Sequence, residues 1–89
     1  MKLFLITYEL NGSRDYSSFF DAIKQFGAWW HYIDNSWVVK TNKNPSEITD
    51  KLKPHLDSIK DSLLVIEIKA SNKQGWLPKK AYSWFKRNA

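Results

Sequence analysis

The sequence predicts an α+β domain, a small antiparallel sheet with helices packed against it. Three observations predict it. Four short runs, KLFLITYE, AWWHYID, SWVVKT and SLLVIEIK, have the length and the β-branched and aromatic content of strands. Two segments between them carry apolar residues three and four apart, the spacing of a helix face. The chain has 89 residues and no cysteine, so one domain must hold together by packing, without disulfides or thiolate metal ligands.

The elements follow in order. Residues 2–9 form a first strand with apolar side chains on both alternating faces, as in a central strand covered on two sides. The loop NGSRD opens with Asn11-Gly12, a strong turn signal, and Asp15 or Ser13 is placed to cap a helix. In that helix Tyr16, Phe19, Phe20, Ile23 and Phe26 recur at helical spacing, and Gly27 is placed to end it. Residues 28–34 and 36–41 form a hairpin, with Asp-Asn-Ser at its tight turn. Pro45 and Ser46 suit the start of a second helix, with Ile48, Leu52 and Leu56 four apart. Pro54 should end or kink it after Lys53 and leave His55-Leu56 as a trailing turn. Residues 62–69 form a fourth strand, again apolar on both faces.

The order β-α-β-β-α-β is the ferredoxin-like plan, a four-stranded antiparallel sheet with both helices on one face. To it the segment 75-GWLPKKAYSWFKRN-88 adds a short C-terminal helix, with Pro78 in its first turn and an apolar stripe of Leu77, Ala81, Trp84 and Phe85. Residues 1–72 thus read as a ferredoxin-like domain and 73–89 as a basic C-terminal segment. The first and fourth strands look buried on both faces, yet two helices cover only one. The C-terminal helix or a second copy related by a two-fold axis must cover the other, and a homodimer is expected.

Charge is segregated along the chain. The net charge is +5, and the first 72 residues hold nine basic and nine acidic side chains. All the excess lies in Lys73, Lys79, Lys80, Lys86 and Arg87, with no acid after Glu67. Such asymmetry points to a polyanion partner, and these five side chains are the candidate phosphate contacts. Trp29 and Trp30, beside Tyr32 and Trp37 on adjacent strands, are the candidate base-stacking residues. The N-terminal apolar run from Leu3 to Tyr8 is too short for a signal segment or a membrane span, so a cytoplasmic protein without a membrane partner is expected.

The stretch 27-GAWWHYIDNSWVVK-40 concentrates three of the five tryptophans around His31. Alternation puts Ala28, Trp30 and Tyr32 on one face and Trp29, His31 and Ile33 on the other. His31 reads either as a general base or as a structural ring sharing its proton with a backbone carbonyl. The two histidines make no zinc motif. Among the acids, Asp15 reads as a helix cap, Asp34 as a hairpin residue and Asp61 as a turn residue.

Five segments, ITYEL, WWHYIDNSWVVKT, KLKPHLD, DSLLVIEI and GWLPKKAYSWF, carry a resemblance over nearly the whole chain. In them the sequence resembles a set of small bacterial proteins labelled "SinR family", which are unlike the helix-turn-helix repressor of that name. These are similar in plan to the CRISPR-associated Cas2 proteins, ferredoxin-like dimers, and more loosely to VapD-type toxin ribonucleases. The resemblance to Cas2 implies a divalent metal held where the first strand ends, at an Asp following Tyr and facing its symmetry mate. Here the matching pair is Tyr8-Glu9, with a carboxylate one methylene longer. Three readings stand: nucleic-acid binding through the basic segment; a magnesium-dependent nuclease with Glu9 as metal ligand paired across a dimer axis and His31 as candidate general base; and a protein–protein adaptor or antitoxin-type module. No cofactor is expected beyond that possible magnesium.

Overall fold

The four strands are realised as one antiparallel sheet. The computed structural model describes all 89 residues, Met1–Ala89. Strands β1 (Lys2–Glu9), β2 (Ala28–Ile33), β3 (Ser36–Thr41) and β4 (Ser62–Ile68) lie in the order β2-β3-β1-β4. Helices α1 (Ser17–Lys24), α2 (Pro45–Leu52) and α3 (Lys79–Asn88) complete an α+β fold, with a single 3₁₀ turn at Lys53–His55. No helix is long and apolar enough to cross a membrane.

Local chemistry places the helix ends. Asn44 and Glu47 form a reciprocal capping box at α2, with bonds of 2.8 and 3.0 Å, and Pro45 occupies the first turn. Pro54 turns the chain into the 3₁₀ piece after Leu52, as its missing N–H requires. Asp15 accepts the Ser17 N–H at 2.9 Å as the chain enters α1. That helix stops at Lys24, before Gly27. Gly27 instead has φ +145°, and a Cβ there would collide with the Lys40 carbonyl, so glycine is needed for the close approach of the chain to β3.

Two hydrophobic clusters sandwich the sheet. On one face Phe4, Ile6, Tyr8, Trp37 and Val39 pack against Phe19 and Ile23 of α1 and Ile48 and Leu52 of α2. On the other, Leu3, Trp30 and Val38 pack against Ala70 and against Ala81, Trp84 and Phe85 of α3. Fully burying one such side chain is worth about 1.5–3 kcal/mol, so the C-terminal helix is a principal part of the fold. Of the two covers expected for this face, α3 is the one a single copy supplies.

Two expectations about the strands are corrected. β1 is central, buried along the α1–α2 face but on the α3 face only at Leu3, and β4 is an edge strand whose Leu64 and Ile66 stay 55% and 47% exposed on the α3 side. The cause is that α3 lies over β2 and the Leu3 end of β1, leaving the rest of that face bare. The second correction concerns Ile33. Register runs Ala28↔Lys40, Trp29↔Val39, Trp30↔Val38 and then Ile33↔Ser36, so β2 carries one extra residue, a bulge. The bulge breaks the alternation and turns Ile33 onto the bare face with Leu5, where it is 46% exposed.

Candidate nucleic-acid interface

The inward stripe of α3 dictates where its charges go. Because Ala81, Trp84 and Phe85 face the sheet, Lys79 and Lys86, and likewise Lys80 and Arg87, form pairs seven residues apart that are exposed to solvent. Lys86 and Arg87 in the last turn also complement the helix dipole. The chain's only ion pairs are Lys2–Glu67 at 3.7 Å and Lys53–Asp50 at 3.1 Å. None of the five C-terminal cations is therefore neutralised within the molecule. Lys73 stands apart from the other four: its ammonium donates to the Ala70 carbonyl at 2.7 Å and lies 5.4 Å from the centroid of the Phe85 ring. It clamps the loop to α3 while adding its charge to the same region.

The aromatic candidates separate. Trp30 is 4% exposed, its ring lies between Tyr32 and Phe85, and its Nε1–H donates to the Ala81 carbonyl at 3.1 Å. It presents no open face for a base. Trp29 is 42% exposed, tilted against Trp37 at 5.3 Å with the Lys24 ammonium 5.3 Å from its centroid. It sits on the α1–α2 face, across the sheet from α3, so the structure does not join it to the C-terminal cations.

A further tryptophan, not singled out in the sequence, lies open close to the C-terminal cations along the chain. Trp76 is 99% exposed, three residues ahead of Lys79. The signal was present: Trp76 falls outside the stripe of Leu77, Ala81, Trp84 and Phe85 that α3 and its lead-in bury.

His31 makes the contacts named in the structural alternative. Its ring stacks on Trp37 with centroids 3.9 Å apart and planes inclined 9°, and its Nδ1 lies 3.0 Å from the Ser36 carbonyl. A carbonyl only accepts, so Nδ1 carries the proton. No carboxylate hydrogen-bonds to the ring to make it an acid–base pair. Glu9 is exposed at the end of β1, opposite Ser62, in a shallow groove with Thr7, Asn35 and Leu64. No three metal-ligating side chains converge anywhere in the single copy.

The acid that does gather partners is Asp61. Its carboxylate accepts the N–H groups of Asn11 (2.7 Å), Gly12 (3.1 Å) and Asp57 (2.7 Å) and the Tyr16 hydroxyl (2.7 and 2.8 Å). Partial desolvation pushes its pKa up, but the Asp57 N–H, the Tyr16 hydroxyl and the Asn11 and Gly12 N–H groups together hold it down at about 2. With both oxygens occupied, Asp61 fastens the 10–16 loop to the 57–61 loop and has no free oxygen to offer a metal. No protein-family model matches the chain, and no curated protein matches it.

Proposed function

We propose that the protein binds nucleic acid through the outer side of α3 and the loop before it. The observation that carries this reading is the set of unpaired cations at Lys79, Lys80, Lys86 and Arg87, displayed on a helix whose other side is fixed to the sheet. A rigid row of cations suits a repeating anion, because it holds several phosphates at once and releases their counterions. The test is retention on heparin and on short RNA and DNA across a salt series, comparing the parent with a variant carrying Lys79→Ala, Lys80→Ala, Lys86→Ala and Arg87→Ala. Affinity should fall with log salt at a slope near −0.9 per phosphate neutralised on duplex DNA, and the variant's slope should be markedly shallower. Equal retention of both proteins would refute the proposal.

The scaffold reading that goes with it is a ferredoxin-like fold of the kind the "SinR family" resemblance implies, working as a dimer. Read from the β4 edge, the strand order is 4-1-3-2 with every neighbouring pair antiparallel, which supports that plan. The bare Leu64 and Ile66 of the unpaired edge strand β4, on the same face as the half-exposed Ile33 of the opposite edge strand β2, support a second copy as the cover. The magnesium nuclease fits less well. Within one copy no three metal-ligating side chains converge, so a magnesium site at Glu9 would need a carboxylate from the second copy. Cleavage of RNA or DNA in Mg²⁺ that disappears in Glu9→Gln would reverse that ranking.

A further inference from the structure

We infer that Trp76 is a stacking platform for an unpaired base, which makes single-stranded nucleic acid the preferred ligand of the basic C-terminal surface. The inference rests on the nucleic-acid reading above and adds the ligand class to it. Tryptophan is the largest side chain available to a chain short of core, and burying one removes roughly 150–250 Å² from water. Four of the five tryptophans are wholly or partly buried against other rings, whereas Trp76 touches solvent over 99% of its surface.

Its neighbours hold it in that position. Leu77 packs against the second core cluster, and Pro78, with φ −56°, leads directly into α3. Lys73 ties the other end of the loop to the Ala70 carbonyl. The indole thus projects from a loop anchored on both sides, so little chain entropy would be lost when it engages a ligand.

The surroundings select the ligand. Lys73, Lys79 and Lys80 lie within four residues of Trp76, and the nearest acid along the chain, Glu67, is paired with Lys2. An aromatic face among cations suits a base with its phosphates, where the ring takes the base and the ammonium groups take the backbone. In a duplex both faces of each internal base are already covered by stacking, whereas a single strand offers them freely. Stacking on one ring discriminates little between bases, so sequence tolerance is expected.

The experiment is a fluorescence-anisotropy titration of a dye-labelled 12-nucleotide oligo(dT), an oligo(U) of equal length and a 12-base-pair duplex with the full-length protein. It is run on the parent, Trp76→Ala, Trp76→Phe and Lys79→Ala/Lys80→Ala, with circular dichroism as the check of fold. Trp76→Ala should weaken single-strand binding by about 5- to 150-fold, the value of one base–aromatic stack, and duplex binding by less than about 2-fold. Trp76→Phe should retain part of the affinity, and the lysine pair should weaken both ligands. Single-strand affinity unchanged in Trp76→Ala, or equal losses for both ligands, overturns the inference and leaves the nucleic-acid reading standing. No binding of any ligand by the parent removes both. A Trp76→Ala variant that loses self-association in sedimentation, with its nucleic-acid affinity intact, assigns the ring to a protein contact and also overturns the inference.

Discussion

The indole N–H of Trp30 donates to the Ala81 carbonyl at 3.1 Å, joining the first strand of the hairpin to the C-terminal helix inside an apolar cluster. Charge and core therefore share one short segment. The basic surface cannot be removed by deleting residues 73–89 without baring Leu3, Trp30 and Val38. Trp30→Ala should cost about 3–5 kcal/mol, as for other large-to-small core changes, while Trp76→Ala should stay within about 0.5 kcal/mol of the parent. Urea unfolding of the two variants checks the contrast, and similar losses would contradict it.

A second buried link is polar. Trp37 Nε1–H donates to the Tyr8 hydroxyl at 2.8 Å, and that hydroxyl donates onward to the Asp34 carbonyl at 3.2 Å. Burial pushes the Tyr8 phenol up, with Trp37 opposing, so the group is neutral across the ordinary pH range. Tyr8→Phe leaves the Trp37 N–H buried without an acceptor, at a cost of about 1–3 kcal/mol. Adding Trp37→Phe removes the stranded donor, so the double variant should lose less than the sum of the singles. Strict additivity in denaturant would sink this account.

Acid stability should depend on Asp61. Its carboxyl ordinarily titrates at 3.8 and is held at about 2 in the fold. A depressed folded value means that the stabilisation is complete above the unfolded value and is lost as pH falls from about 4 through about 2. Asp61→Asn should therefore unfold at lower urea than the parent near neutrality, with the gap narrowing over that interval. Tyr16→Phe removes one of the donors and should move in the same direction by a smaller step. A gap that stays constant from pH 5 to pH 2 would show that the charge on Asp61 does not matter.

The bare strip makes a separate prediction. Leu64→Lys and Ile66→Lys place charge on half-exposed positions of an edge strand, where a monomer would lose little. If a second copy covers this face, each change should convert a dimer into a monomer in sedimentation equilibrium while leaving the circular dichroism spectrum unaltered. A parent that sediments as a monomer at all concentrations rules out the dimer.

Much of this could be read along the chain because it is local. The helix start at Pro45, the stop imposed by Pro54 and the stripe of Ala81, Trp84 and Phe85 each depend on residues within a turn or two of one another. The candidate site was half legible for the same reason. The basic segment is a fact of composition, but which tryptophan lies open near it is not: Trp30 is buried under α3 and Trp76 is left in water.

The amino-acid order by itself determined the α and β elements, their succession, and the neutrality of the first 72 residues against a cationic end. Only the tertiary structure decided that α3 covers part of the second face, that β4 takes an edge, that a bulge turns Ile33 outward, and that Asp61 gathers donors from the distant 10–16 loop as well as its own. The reason is the distance over which each choice is made. Trp30 meets Ala81 across 51 residues and Asp61 meets Asn11 across 50, and no periodicity reaches that far. A helix face follows from spacing, but whether that face leaves an indole in water depends on what the rest of the chain brings against it.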